Sequence, residues 1–200
     1  MDELYRIFNT LNRDFYDEKL NPPVITIQKS KKNSLGYFTV DRVWRQKDRE
    51  DDEERASYEL NINPTYLNAP AADIVGTMQH EMVHYANLVS GIKDCSGNVH
   101  NKKFKELAER VGLIVTKGSS NGWGCTEVGD DFRKYIIDTV KPDDGAFMYF
   151  RREEAIEKAK PAKKIFKYSC PHCDLEVKAK KGHKIICGDC KCELVMEDEE

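Results

Sequence analysis

The chain has 200 residues, of which 40% are hydrophobic and 34% are charged; its formal net charge is −3 and its mean hydropathy is −0.68. This length suits one domain of about 150 residues with a small appendage, and the composition is that of a soluble globular protein. No apolar run approaches the roughly 18 residues that span a bilayer, and 12 glycines and 7 prolines exclude a collagen-like or linker-like chain, so we expect no membrane partner.

Charge is distributed unevenly along the chain. Residues 1–157 contain 22 basic and 27 acidic side chains (net −5), residues 158–191 contain 10 and 3 (net +7), and residues 192–200 contain none and 5 (net −5). A polyanionic partner would therefore bind the basic module, although a solvated lysine-rich linker would show the same charge. The N-terminus lacks the basic start and apolar core of a signal peptide, which predicts a cytoplasmic protein.

The first half of the chain predicts two helices and three strands. Strands are expected at residues 24–27, 35–40 and 58–63, the last from its period-two alternation. The opening helix would end at Pro22-Pro23, and its apolar positions at helical spacing are Leu4, Ile7, Phe8, Leu11 and Phe15. A long helix would run from Pro70 to about Val89, and its buried face would contain Ile74, Val75, Met78, Met82 and Val83.

The second half predicts a helix over residues 102–111, a loop over 118–124 and a short helix over 132–140. The lysine-rich composition of residues 158–164 is typical of a linker. We therefore expect a first domain over residues 1–157, a module over 165–196 and an acidic tail over 197–200.

The long helix contains an H-E-x-x-H sequence, His80-Glu81-Met82-Val83-His84. Residues four apart lie on one face of a helix, so both imidazoles can reach one ion, and Glu81 can hold a water bound to that ion. The alternative is that His80 and His84 are two ordinary helix histidines.

A catalytic zinc site normally has three protein ligands and one open position. Asn87 and Ser90 occupy the positions where the metzincin pattern requires glycine and histidine, which excludes that class. His172 and His183 lie inside the cysteine-rich module, so the third ligand is His100, with Glu106 or Glu109 as the competing carboxylate.

Five of the seven cysteines lie in the last 31 residues. An odd number without a signal peptide argues against a disulfide framework. The pairs Cys170-x-x-Cys173 and Cys187-x-x-Cys190, separated by 13 residues, predict a closed four-thiolate structural zinc site, with Cys192 as a substitute for Cys190. Redox-active or unligated thiols are the alternative.

Lysines surround these cysteines, and the aromatic residues Phe166 and Tyr168 are interleaved with them. Lysines release counterions on binding phosphates, and aromatic rings stack on unpaired bases, so we expect the module to bind DNA without sequence specificity. A module that only stabilises the fold or docks a protein is the alternative. The candidate DNA-binding residues are Lys163, Lys164, Lys167, Lys178, Lys180, Lys181 and Lys184.

The order of these features resembles the SprT/Spartan family of zinc metallopeptidases. The resemblance implies an α+β fold, a zincin-like domain whose active-site helix packs on a small mixed sheet, followed by a zinc ribbon. It also implies that His80, His84 and His100 bind the catalytic zinc, that Glu81 is the catalytic residue, and that the strand at 58–63 is the edge that pairs with substrate. The family usually has His-Gly where this chain has His100-Asn101, and asparagine tolerates a left-handed backbone well.

The expected activity is hydrolysis of peptide bonds by a zinc-bound water that Glu81 activates, with one catalytic and one structural zinc. The resemblance implies a protein substrate on DNA or crosslinked to it. The alternative is a non-enzymatic DNA-associated zinc protein, a scaffold or regulator. The sequence leaves the oligomeric state, the cleavage preference and the physiological substrate open.

Overall fold

The computed structural model describes residues 1–30, 34–47, 55–152 and 165–196. The chain divides into two compact units, Met1–Glu153 and Glu154–Glu200. The expected linker (158–164) and acidic tail (197–200) lie outside the described residues, so these domain boundaries stay predictions. Over the described ranges, every helix is too short or too polar to cross a membrane.

The first unit mixes helices with short strands, as the predicted α+β class requires. Its helices are α1 (Asp2–Tyr16), α2 (Ala71–Val89), α3 (Lys102–Arg110) and α4 (Asp130–Tyr135). A π-helical turn, Ile136–Val140, continues α4. Its strands are β1 (Val24–Thr26), β2 (Gly36–Phe38), β3 (Glu59–Ile62), β4 (Cys95–Ser96), β5 (Val99–His100), β6 (Leu113–Gly118) and β7 (Gly122–Val128).

Helix α1 covers one side of the core with its apolar stripe. Four of the five predicted positions are almost fully buried, and Phe15 packs edge-on against Phe132, with 5.6 Å between ring centroids. The prediction that Pro22-Pro23 ends the helix is wrong. It ends earlier, because Asp17 adopts a left-handed backbone (φ 53°) and donates its N–H to Asn12 O.

The first sheet has the order β1-β3-β2, in which β1 and β3 are parallel and β2 is antiparallel to β3. Strand β3 is therefore paired on both sides. The prediction that residues 58–63 form a free edge is wrong, because β1 and β2, which both precede β3 in the chain, pair with it on opposite sides. Strand β2 is the edge strand of the sheet on the other side of β3 from β1.

The second sheet has the order β4-β5-β7-β6. Strands β6 and β7 form an antiparallel hairpin that is irregular between Thr116 and Gly118. The prediction of a loop over 118–124 is wrong at both ends, since β6 ends at Gly118 and β7 begins at Gly122. A glycine-rich stretch predicts a loop from the sequence, but glycine is also required where a strand passes close to other atoms.

Helix α2 packs against α1, α3 and strands of both sheets. All five apolar residues predicted to face inward are buried, which confirms its predicted orientation. The buried amide of Gln79 adds a polar tie, because its Nε2 donates to Val111 O at 3.0 Å. The helix is thus fixed in position and rotation by contacts on several sides.

The second unit contains a small antiparallel sheet with the order β10-β8-β9. Its strands are β8 (Ile165–Ser169), β9 (Glu176–Lys180) and β10 (Val195–Met196). The buried residues are Tyr168, Cys170, Cys187 and Leu194. Such a small core cannot supply much hydrophobic stabilisation, so another source of stability is needed.

Candidate metal centre

Helix α2 places His80 and His84 one turn apart, with 5.1 Å between their ring centroids. Glu81 lies on the same helix and is buried, with 6% of its surface exposed. Two imidazoles and one carboxylate therefore lie within about one and a half turns of α2.

His100 reaches the same place from the end of β5. It pairs with Gly122 of β7, and its ring centroid lies 5.2 Å from that of His80 and 4.8 Å from that of His84. The next residue, Asn101, has an extended backbone (φ −99°) and accepts from the N–H of Lys103 as the N-cap of α3. Asn101 therefore does not use the left-handed backbone that asparagine tolerates; its side chain caps α3 instead.

Each of the three imidazoles is anchored through Nδ1 by a different group. His80 Nδ1 lies 2.9 Å from the hydroxyl of Thr126, and His84 Nδ1 lies 2.8 Å from the carboxylate of Asp94. His100 Nδ1 lies 3.2 Å from the carbonyl oxygen of Asn121. Because these partners occupy Nδ1, the Nε2 atom of each ring is the one left to bind a ligand.

The three histidines fit a zinc ion. One ligand nitrogen from each ring lies within 4.8 Å of the others, and His84 Nε2 is 3.0 Å from His100 Nε2. Two nitrogens bound to one tetrahedral zinc at about 2.0–2.1 Å are about 3.3 Å apart. The donors are therefore close to the spacing that zinc imposes, with three protein ligands and room for a fourth.

Phe104 of α3 forms the floor of this centre. Its ring is fully buried, and its centroid lies 4.7 Å from those of His80 and His84 and 4.5 Å from that of His100. An apolar floor keeps water from the inner side of the three imidazoles and limits how far each ring can turn.

The carboxylate of Glu81 lies against Gly36 at the start of β2. A methyl group on Gly36 would come within 3.3 Å of Glu81 Oε1 and within 2.6 Å of the carbonyl oxygen of Asn61. Glycine is therefore needed there for the strand to pass so close to the helix. The contact places the edge strand β2 directly beside Glu81.

Two glycines of β7 make room for His100 in the same way. A methyl group on Gly122 would lie 2.3 Å from His100 O, and one on Gly124 would lie 2.4 Å from His100 Nδ1. These close approaches explain why strand β7 contains glycines at these two positions.

Burial dominates the protonation of the site. It raises the pKa of Glu81 to about 7; the charge of His84 opposes this rise and the charge of Asp94 adds to it. Burial also lowers the pKa of His80 and of His100, as do the neighbouring imidazoles. Neutral imidazole is the form that binds metal, so the environment of these two rings favours a metal centre.

His84 differs from the other two imidazoles. Burial opposes its protonation, but the hydrogen bond with Asp94 and the charges of Glu81 and Asp94 outweigh burial and raise its pKa. The same contact lowers the pKa of Asp94 against the effect of its burial. Asp94 therefore remains a carboxylate and can hold the Nδ1 proton of His84.

The competing carboxylates lie elsewhere. Glu106 pairs with Lys103 and Glu109 pairs with Lys105, and both glutamates are exposed on α3. The structure thus brings together His80, His84 and His100 and leaves these two glutamates outside the group.

Sequence reasoning did not find Asp94 or Thr126. Asp94 stands in a polar loop with no motif of its own, and Thr126 lies on a strand that the sequence did not predict. Asp94 lies six residues before His100. This spacing indicates that the two side chains can approach the same site only when the β4–β5 hairpin between them is known.

The second unit brings four of the predicted cysteines together. The sulfur atoms of Cys170, Cys173, Cys187 and Cys190 all lie within 4.8 Å of one another, so the group could hold a metal. Cys173 Sγ is 3.7 Å from Cys187 Sγ, close to the separation of about 3.75 Å for two thiolates on one tetrahedral zinc. The N–H of Cys190 donates to Cys187 Sγ, as is usual in thiolate metal turns.

Lysines of the second unit occupy several surfaces. Lys167 pairs in register with Lys178 and contacts Glu176 at 2.5 Å, while Lys178 and Lys180 are exposed on β9. Lys181 lies over the ring of Phe166, and Lys184 pairs with Glu193. Lys163 and Lys164 lie outside the described residues.

Tyr168 does not have the role expected from its position among lysines. It is buried, and its hydroxyl donates to Lys180 O at 3.0 Å. The expected stacking of Tyr168 on bases is therefore wrong, because period-two alternation on β8 turns this ring into the small core.

The protein therefore has an α+β fold. Its three-histidine group in the first unit and its four-cysteine group in the second unit could each hold a metal. A family model described as SprT-like matches residues 4–121, which is more than half of the chain, and the chain belongs to the SprT-like family. The family suggests a metallopeptidase-like role. Comparisons with curated proteins and with solved structures gave no match.

Replacement of Asp94 should weaken zinc binding at the three histidines. In Asp94→Ala, His84 loses its Nδ1 partner, and we expect zinc affinity to fall about 10–100-fold. Asp94→Asn should give a smaller loss, because an amide oxygen accepts the same hydrogen bond without the charge. Chelator competition on the full chain measures the effect, with the four-cysteine group as an internal reference. Equal affinity in all three proteins would contradict this role.

A methyl group on Gly124 should displace the ring of His100, because a Cβ there would lie 2.4 Å from Nδ1 and 2.7 Å from Cε1. We expect Gly124→Ala to lose zinc from this centre to about the extent that His100→Ala does. Elemental analysis of purified protein measures the loss. Thr116→Ala on the neighbouring strand β6 is the control, since Thr116 is exposed and lies outside both groups that could hold metal. Full zinc content in Gly124→Ala would show that β7 does not position His100.

Proposed function

We propose that this protein is a zinc-dependent endopeptidase with a zincin-like catalytic unit, residues 1–157, followed by a zinc ribbon. The observation that carries the proposal is the convergence of one ring nitrogen from each of three histidines, two of them on the helix that also carries the buried carboxylate of Glu81. His80, His84 and His100 would hold the catalytic zinc, and Cys170, Cys173, Cys187 and Cys190 the structural zinc.

In this proposal the metal and Glu81 have separate tasks. Bound zinc supplies a water of lowered pKa, near 7, and polarises the scissile carbonyl. Glu81 accepts the proton of the attacking water and delivers it to the leaving amine. Burial raises the pKa of Glu81 to about 7 before the charge of a zinc ion is added, and that charge would lower it again.

The substrate would bind along β2. This strand lies at the end of the first sheet, and Gly36 brings it against Glu81. A peptide in extended form could add to that edge through main-chain hydrogen bonds, which give affinity without strong side-chain specificity.

We further propose that the substrates are proteins on DNA or crosslinked to it, and that the ribbon contacts the DNA. The charge of +7 over residues 158–191 and the exposed lysines of β9 support this partner. Four thiolates on one zinc contribute a net −2, which leaves the module basic. We also propose that the protein acts in the cytoplasm.

Glu81→Gln tests the catalytic proposal directly. The amide cannot accept the proton, so we expect cleavage of a protein substrate to be lost while the zinc content stays at about two per chain. His84→Ala should reduce that content to about one. Elemental mass spectrometry and a gel-based cleavage assay give the two readouts.

Unchanged cleavage in Glu81→Gln would contradict the proposed mechanism. Unchanged function in cells, with cleavage absent in vitro for both proteins, would favour the non-enzymatic scaffold. Glu106→Gln is a suitable control, because this glutamate is exposed on α3, lies outside the three-histidine group and should affect neither readout.

The DNA contact is tested by charge reversal on β9. We expect the double variant Lys178→Glu, Lys180→Glu to bind a single-stranded oligonucleotide more weakly and to reduce the slope of log affinity against log salt by about 1–2. Fluorescence anisotropy at several salt concentrations measures both. Lys29→Glu with Lys47→Glu is the matched control, since both lysines are exposed in the first unit. An equal loss in the two double variants would show that net charge, and not this face, determines binding.

A further inference from the structure

A fifth thiol, that of Cys192, lies beside the four-cysteine group. Its sulfur atom is 3.5 Å from that of Cys170, which is closer than the 3.7 Å between Cys173 and Cys187 within the group. Four thiolates complete a tetrahedral zinc site, so one of these five sulfur atoms has no place on the metal. The function proposed above does not use it.

The backbone holds Cys192 in this position. Cys192 O accepts from the N–H of Cys187 at 2.8 Å, and the N–H of Lys191 donates to Cys187 O at 2.9 Å. Lys191 has a left-handed backbone (φ 58°), which turns the chain so that Cys192 faces the group. The short distance between the two sulfur atoms is therefore a consequence of the loop.

The two partners differ in their surroundings. Cys170 is buried, with 7% exposed, whereas Cys192 is half-buried. A metal-bound cysteine is a thiolate, and the thiolate is the nucleophilic form of the side chain. Redox-sensitive cysteines commonly combine such a thiolate with a second, resolving cysteine next to it.

We propose that Cys170 and Cys192 form an oxidant-sensitive pair whose disulfide releases the metal from the ribbon. The Cys170 thiolate attacks a peroxide, which forms an S–O bond, breaks the O–O bond and releases hydroxide. The Cys192 thiol then attacks the sulfenic acid of Cys170, which forms the S–S bond and releases water. In total the two cysteines lose two electrons, and hydrogen peroxide becomes one water and one hydroxide, which takes a proton from the solvent.

Loss of Cys170 as a ligand would have a large structural effect. The remaining cysteines hold zinc less tightly, and the second unit has a core of only a few residues among those described. Oxidation would therefore unfold the ribbon and remove its lysines from any ordered surface. The proposal does not depend on peptidase activity.

The test treats the zinc-loaded full chain with hydrogen peroxide and follows zinc release with a chelating dye. We expect the wild type to release about one of two zinc ions, and thiol reduction with added zinc to restore it. Cys192→Ser should release zinc several-fold more slowly. Cys125→Ser, which removes an exposed thiol from the first unit, should behave as the wild type does.

Peptide mapping without reduction identifies the bond itself. Trypsin cleavage after Lys184 and Lys191 separates Cys192 from Cys187 and Cys190, so a disulfide to Cys192 gives a distinct linked pair of peptides. Fragmentation of that pair should place its other end at Cys170.

Three results would overturn the proposal: equal release rates in the wild type and Cys192→Ser, a disulfide that omits Cys192, or a ribbon that carries no zinc before oxidation. Cys192→Ala serves as a second variant if the serine variant is unstable. Peptide mapping uses the wild-type protein, so it tests the proposal even if both variants of Cys192 fail to fold.

Discussion

Three hydrogen bonds to the Nδ1 atoms of His80, His84 and His100 are the constraint on which the metal centre depends. Their partners belong to different parts of the first unit: Thr126 on β7, Asp94 before β4, and the carbonyl of Asn121 in the β6–β7 turn. Each bond fixes the orientation of one ring and leaves Nε2 to face the others. The helix supplies two of the three imidazoles, but the second sheet and its turns determine where all three point.

The sequence predicts the helix of the centre well and its surroundings poorly. The apolar spacing along α2 and the H-E-x-x-H pattern are local signals, and the structure confirms the buried face that they imply. The elimination of other histidines led to His100, and the structure brings it to the helix. Asp94 and Thr126 have no such signal, because their role arises only from pairing between strands that are distant in sequence.

Glycine explains the main errors in the predicted fold. Residues 118–124 predict a loop because glycine usually marks one, yet Gly122 and Gly124 lie on a strand where His100 leaves no room for a side chain. Gly36 lies in a predicted strand, yet nothing local in the sequence shows that this strand passes beside Glu81. Periodicity also could not determine the order β1-β3-β2, since one strand's own pattern does not state which neighbours it pairs with.

The family match ends at residue 121, one residue before β7 begins. A fragment cut at that border would keep Glu81 and all three histidines of the candidate centre. It would lack Thr126, both glycines that accommodate His100, and Phe132, which packs on α1. The shortest piece of this chain worth expressing for crystallisation or screening therefore extends at least through α4, well past the border that sequence similarity alone would suggest.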